Sequence, residues 1–220
     1  MTCKTAATTC LPAPASPCGR LRSPTGKLNE IIGEAAKRQE GLGEAVGRFI
    51  EENRLAQRAL SLAAAGWRNA TPVTCHVGVG CDILHAHPNC DGAALGQASY
   101  TDFLIFARAV QNLERGVFLN VGTAVTGPEV FLKALSMGRN VARQCGTAIR
   151  HFSTAVLDLV ILPEEFRAGP PCKDHPLYYY RPWKTLLLRT IADGGAGYYF
   201  SGDHRRTIPS LWHELVSAAP

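Results

Sequence analysis

The sequence is short of the features that settle a function quickly. Its eight cysteines include no CxxC pair. Their irregular spacing in a chain of 220 residues therefore reads as reduced thiols rather than a disulfide framework. There is no apolar run near the ~18 residues that a membrane span needs. The first 26 residues carry Pro and Arg where a secretory leader would be continuously apolar. A G-x-S-x-G elbow is absent, which disfavours a covalent hydrolase, and no Cys/His nucleophile stands out. Also missing are G-x-G-x-x-G and the P-loop lysine, so neither standard nucleotide fingerprint applies. Net charge is only +5, and the one tight basic cluster is "HRR" at 204–206, which gives no case for nucleic acid. These absences leave a cytoplasmic protein without membrane or nucleic-acid partners as the expectation.

What is present is ordinary globular composition, with 46% apolar and 19% charged residues. Residues 1–26, rich in Pro, Thr, Ala and Ser without periodicity, are expected to be a disordered tail. From Leu28 to about Trp67 three helical stretches follow at 3.6-residue spacing. "PVTCHV" then reads as a short buried strand, and a helix capped by Ser99 with Asp102 in its capping box follows it. "GVFLNV" reads as a strand, "GPEVFLKALSMGRNVARQ" as a helix with Pro128 in its first turn, and "FSTAVLDLVIL" as a strand. Residues 163–183 read as a Pro-rich loop, "KTLLLRTI" and "GYYF" as strands, and "IPSLWHELV" as a closing helix. Strands separated by helices of ten or more residues imply parallel pairing through crossovers. The expected fold is α/β, three-layer and Rossmann-like with a mostly parallel sheet over 27–220, and no internal repeat.

Three segments could carry chemistry. Residues 73–92, "VTCHVGVGCDILHAHPNCDG", hold three cysteines, three histidines and two aspartates. The ligand spacing C-H-x4-C-x3-H-x-H-x2-C fits no common zinc pattern, so no metal is expected there. Two other readings stand: buried cysteines with hydrogen-bonded histidines, or a pocket beyond a strand end. In the pocket reading His76, Asp82, His85, His87 and Asp91 are candidate acid, base or orienting groups. "LNVGTAVTGPEVFLKAL", 119–135, offers a small-residue turn and a helix start to an anion, with Gly122, Thr123, Gly127 and Glu129 as candidate cofactor contacts. "RTIADGGAGYYFSGDHRRTIP", 189–209, adds Asp193, Gly194 and His204, which could equally sit in solvated turns. Trp183, Lys184 and the tyrosines 178–180 could stack a ring or cover a core.

Read together, "HVGVGCDILHAHPNCDGAALGQASYTDFLIF", "GVFLNVGTAVTGPEVFLKALSMGRNVA", "FSTAVLDL" and "YYYRPWKTLLLRTIADGGAGYYFSGDHRRTIPSL" resemble an uncharacterised bacterial group of the deoxyhypusine-synthase-like, NAD/FAD-binding superfamily. The resemblance covers about residues 27–215. It implies a Rossmann-like domain, NAD as cofactor, and a homo-oligomer with pockets near subunit contacts. His76, Asp82, His85, His87, Asp91 and Gly92 fall on the group's motif, as do Gly122, Pro128, Glu129, Asp193, Gly194, Gly195, Gly202 and His204. Two departures matter. The lysine motif that holds an imine in a true deoxyhypusine synthase is missing, and Lys184 does not replace it. The group also has a further α/β half before the helices at 27–66, so an incomplete domain is expected here.

The leading expectation is a deoxyhypusine-synthase-like protein that binds NAD and acts as a transferase or oxidoreductase on a small polar substrate. The alternatives are a ligand-binding or regulatory module without turnover, a truncated remnant, and a metal-dependent enzyme using the 75–91 cluster.

Overall fold

A computed structural model describes residues 23–167 and 171–218. Most of the expected tail, residues 1–22, lies outside the described residues, as do three residues of the 163–183 loop. Ser23 through Gly26 open the first helix instead: the Ser23 hydroxyl accepts a hydrogen bond from the Gly26 amide, and Pro24 sits where its missing N–H costs nothing.

Four helices come first: α1 (Pro24–Arg38), α2 (Leu42–Glu52), α3 (Leu62–Arg68) and the long α4 (Gly92–Gln111). The sheet follows as β1 (Val117–Val121), α5 (Thr126–Gln144), β2 (Ser153–Asp158), β3 (Ala196–Ser201) and α6 (His204–Ser217). The strands pair in the order β1-β2-β3, all parallel. β2 is central, and five of its six residues are buried, as expected for a strand covered by neighbours on both sides. The architecture is the expected Rossmann-like α/β type.

Two cores hold the chain. In one, Phe131, Ala134 and Leu135 of α5 pack between α4 and one face of the sheet, where Val156 is buried. Phe118 of β1 stacks on Phe131 with centroids 3.8 Å apart. In the other, α1, α2 and the first half of α4 close around Ile32, Ala35, Leu42, Leu95 and Ala98. Among the described residues no helix is long and apolar enough to cross a membrane.

Four sequence expectations are corrected. "PVTCHV" is extended but joins no sheet. "KTLLLRTI" is not a strand: Pro182–Arg189 winds as a π-helix that buries Leu186 and Leu187 in the core beside β2. Leucines suit helical winding, and the carbonyl of Leu186 receives hydroxyl bonds from Thr154 (3.0 Å) and Thr190 (2.9 Å). The helix expected to be capped by Ser99 is capped eight residues earlier, where the Asp91 carboxylate accepts the Ala93 and Ala94 amides. The closing helix likewise starts at His204, capped by Asp203, with Pro209 inside it.

Candidate functional site

The Cys/His segment is built on α4. Residues 71–78 run extended along that helix, and its side chains supply the partners a neighbouring strand would give. Asp102 Oδ2 accepts the Cys75 amide at 2.8 Å and the Gly43 amide at 3.0 Å. Ser99 Oγ accepts the Val77 amide at 3.0 Å and donates to the Cys75 carbonyl at 3.1 Å. Asp102 is 0% exposed, and burial holds its carboxyl above the usual carboxylate range despite the amides that favour its charged form. The same burial, with Asp102 nearby, pushes the Cys75 thiol up, so Cys75 is no ready nucleophile.

His76 lies edge-on to Phe106 and Phe103, at 5.4 and 6.4 Å, with Nε2 3.1 Å from the Thr74 hydroxyl. Burial lowers its pKa, so the ring is neutral near pH 7. Beyond it the chain turns at Ile83–Ala86. The Asp82 carboxylate caps that turn through the Leu84 amide (3.2 Å), and His85 Nδ1 accepts the amides of Gly80 (3.0 Å) and Asp82 (3.3 Å). A ring nitrogen that accepts two amides carries no proton, so the proton of neutral His85 sits on Nε2. That atom is buried and has no partner.

The second segment is the turn from β1 into α5. Gly122 leaves the strand at φ +65°, and a Cβ there would stand 3.2 Å from His204 Nε2. Asn120, 2% exposed, donates to the Thr123 carbonyl at 3.0 Å, and Thr123 Oγ1 accepts the Gly127 amide at 2.9 Å. Gly127 is required by space: a Cβ would fall 2.3 Å from Thr123 Cγ2 and 2.9 Å from Asn120 Oδ1. Val125, at the N-cap of α5, provides no side-chain cap. Glu129 is held by Lys133 (2.7 Å) and Arg181 (2.5 Å), and the Lys133 bond keeps its carboxyl below the usual range.

The two segments meet at a cavity of about 640 Å³. His76, Val77, Cys81, Asp82 and His85 line one side, and Thr126 and Val130 of the first turns of α5 line the other. A smaller cleft of about 310 Å³ shares His76, Val77, Leu95 and Val130 with it. The structure thus brings His76, Asp82 and His85 together. His87 is tied instead to the start of α1, with Nε2 3.3 Å from Ser23 Oγ and Nδ1 2.5 Å from Asn89 Oδ1. Asp91 serves as the α4 cap. Gly122, Thr123 and Gly127 do not line the cavity; they fix where α5 begins.

Asp193 and Gly194 stand apart. They precede β3, where Asp193 pairs with Arg139 at 3.3 Å and Gly194 adopts φ +123° against His151. His204 follows β3, so in a parallel sheet it shares the far end with Gly122, and its Nδ1 is buried without a partner. Sequence reasoning missed Ser99 and Asp102 as anchors. The signal was a buried-type position: an acid flanked by Phe103 and Phe106 along an apolar helix. It named Tyr180 only within the 178–180 patch and missed its pairing with Tyr199: the two hydroxyls lie 3.3 Å apart, with Tyr199 donating to the Val160 carbonyl at 2.7 Å. Burial raises both phenols. Lys184 lies over Tyr178 and Tyr179, 3.9 and 4.5 Å from the ring centroids, which satisfies its charge by packing.

Among the described residues no three His, Cys, Asp or Glu side chains gather as a metal-holding group. Comparison of the chain with protein-family models, with curated proteins and with solved structures finds no match.

Proposed function

We propose that the cavity between the 75–85 segment and α5 takes a dinucleotide, NAD, and that the chain acts on a small polar substrate as a deoxyhypusine-synthase-like transferase or oxidoreductase. The observation that carries this reading is the shared wall: polar His76, Asp82 and His85 face the first turn of α5, where Thr126 lines the cavity, across about 640 Å³. A mostly apolar cleft with a few convergent polar groups suits a ring system, and a helix start suits the charge of a phosphate. NAD, when bound, would supply hydride acceptance. The chain's own residues bind, orient and move protons: His85 offers its Nε2 proton, and neutral His76 can accept one.

A second reading, a binding module without turnover, draws on one specific fact. Asp82 and His85 already hold the turn's own amides, and a group that holds its loop is less free to move protons. Titration of NAD into the folded protein tests both. Val130→Trp, which fills the cavity from α5, is expected to weaken binding at least tenfold, about 1.4 kcal/mol. Gly122→Val, which shifts the α5 start, is expected to do the same. His85→Ala and Asp91→Ala should spare binding, and only His85→Ala should abolish any turnover. Wild type that does not bind NAD at millimolar concentration overturns the cofactor reading; binding without turnover of any offered substrate leaves the second.

A further inference from the structure

Parallel sheets bury both faces, yet among the described residues the two outer strands leave apolar side chains exposed on one face of this sheet, Leu119 at 44% and Tyr198 at 52%, while Ala155 and Leu157 of the central strand are buried. The register puts Leu119, Ala155 and Tyr198 in one row across the three strands, and Val121, Leu157 and Phe200 in the next. Both rows point away from the α5 core, and Phe200 at their end is 52% exposed.

A second unpartnered apolar surface lies on α6. Ile208, Leu211, Trp212, Leu215 and Val216 repeat at the spacing of one helical face, and Trp212 is 65% exposed. Such a stripe is normally what a helix buries against a sheet. Here the two-residue link Gly202–Asp203 carries α6 over the end of β2, where His204 meets Gly122, and the stripe does not lie on its own sheet.

We infer that two copies of this chain associate by exchange, the α6 stripe of each lying on that sheet face of its partner. The dimensions agree. A 14-residue helix is about 21 Å long, and strands of five to six residues run about 17–20 Å. With ~150–250 Å² for a whole large apolar side chain, the exposed parts of the sheet face and stripe come to roughly 900 Å² per copy. Divided between face and stripe, each surface falls within the ~300–600 Å² of the largest patch on a typical monomer, and the two together match the ~800 Å² that one partner gives to a stable interface. Residues 1–22 of the same chain are a poor occupant, since Met1, Leu11 and Leu21 are their only large apolar side chains. Exchange between identical chains is also closed: each copy offers one face and one stripe, and a two-fold axis satisfies all four.

The arrangement makes a test that a face-to-face dimer would fail. Sedimentation equilibrium of the full chain should show a dimer at micromolar concentration. Phe200→Glu spoils the face and Trp212→Glu spoils the stripe, so each variant alone should be monomeric, at least a hundredfold weaker in association, with an unchanged circular dichroism spectrum. Mixed in equal amounts, the two variants restore one intact contact, the Phe200→Glu stripe on the Trp212→Glu face, and should recover a heterodimer. A monomeric wild type overturns the proposal. So does a mixture that stays monomeric while wild type is dimeric, which would mean face against face and stripe against stripe. Should either variant lose its fold, Leu119→Lys and Leu215→Lys repeat the same pairing.

Discussion

The segment 71–78 and the strand β2 are both extended and largely apolar, but β2 is buried where the segment is half-buried or exposed, and they satisfy their backbones by different means. β2 exchanges amide and carbonyl bonds with a strand on each side, so no single side chain is essential to its conformation. The 71–78 segment has no ladder. Two of its amides end on Ser99 and Asp102, two side chains of one helix. A ladder distributes its support over many equivalent bonds, whereas a side-chain clamp concentrates it. The cavity's histidine wall is therefore held by fewer and stronger points than the sheet that it faces.

Asp102 is where that comparison breaks most sharply. Asp102→Ala leaves the Gly43 and Cys75 amides without acceptors in a dry site and should destabilise by about 3 kcal/mol in urea unfolding. Hydrogen exchange should then show Cys75 and Val77 losing protection while β2 keeps its own; equal loss in both regions would mean that the clamp is not local. The carboxyl also carries a pH signature. Its folded pKa is raised above the unfolded value, so the folded state binds more protons between the two. The associated stability is present at low pH and is lost as pH rises through the folded pKa. The stability of wild type relative to Asp102→Asn should therefore fall from pH 4 towards neutrality, and a rise would show that the hydrogen bonds outweigh burial.

The same contrast explains what could be read from the residues. "GVFLNV", "STAVLD" and "GYYF" are legible because short continuous apolar runs separated by helical stretches leave parallel pairing through crossovers as the simple solution. The α5 helix is legible for its Pro128 and its Phe131, Leu135, Ala142 face. "PVTCHV" carries the same strand-like pattern, and nothing in its own residues says that Ser99 and Asp102, more than twenty positions later, will take the place of a strand. "KTLLLRTI" fails for a related reason: tertiary burial of Leu186 and Leu187 chooses helical winding over an extended run. In the site, the histidines were visible as types. Which of them face a cavity depended on Ser23 and Asn89, which draw His87 away.

Ser99 sharpens the comparison at smaller scale. Its hydroxyl both accepts from Val77 and donates to Cys75, so Ser99→Ala removes two neutral bonds at a half-buried site. The expected cost is about 1 kcal/mol, a third of that for Asp102→Ala, because neutral bonds are weaker than those to a carboxylate and water can reach part of the site. Ser99→Thr keeps the hydroxyl and should recover most of the loss. If Ser99→Ala costs as much as Asp102→Ala, the clamp acts as a single unit and the two contributions cannot be separated.

The smallest effect is chemical rather than energetic, and it reads the clamp without unfolding anything. Cys75 and Cys81 lie six residues apart on the same cavity wall, but Cys75 is half-buried against Asp102 and Cys81 is exposed. Thiol reagents attack the thiolate, and both burial and the neighbouring carboxylate keep the Cys75 thiol protonated to higher pH than usual. Labelling at pH 8, read by mass spectrometry of the separated peptides, should modify Cys81 at least tenfold faster than Cys75. Asp102→Asn removes the negative charge and loosens the segment, and both changes favour thiolate at Cys75, so its rate should rise several-fold while that of Cys81 stays constant. If Cys75 reacts as fast as Cys81 in wild type, the 71–78 segment opens readily in solution, and the wall it gives the cavity forms only part of the time.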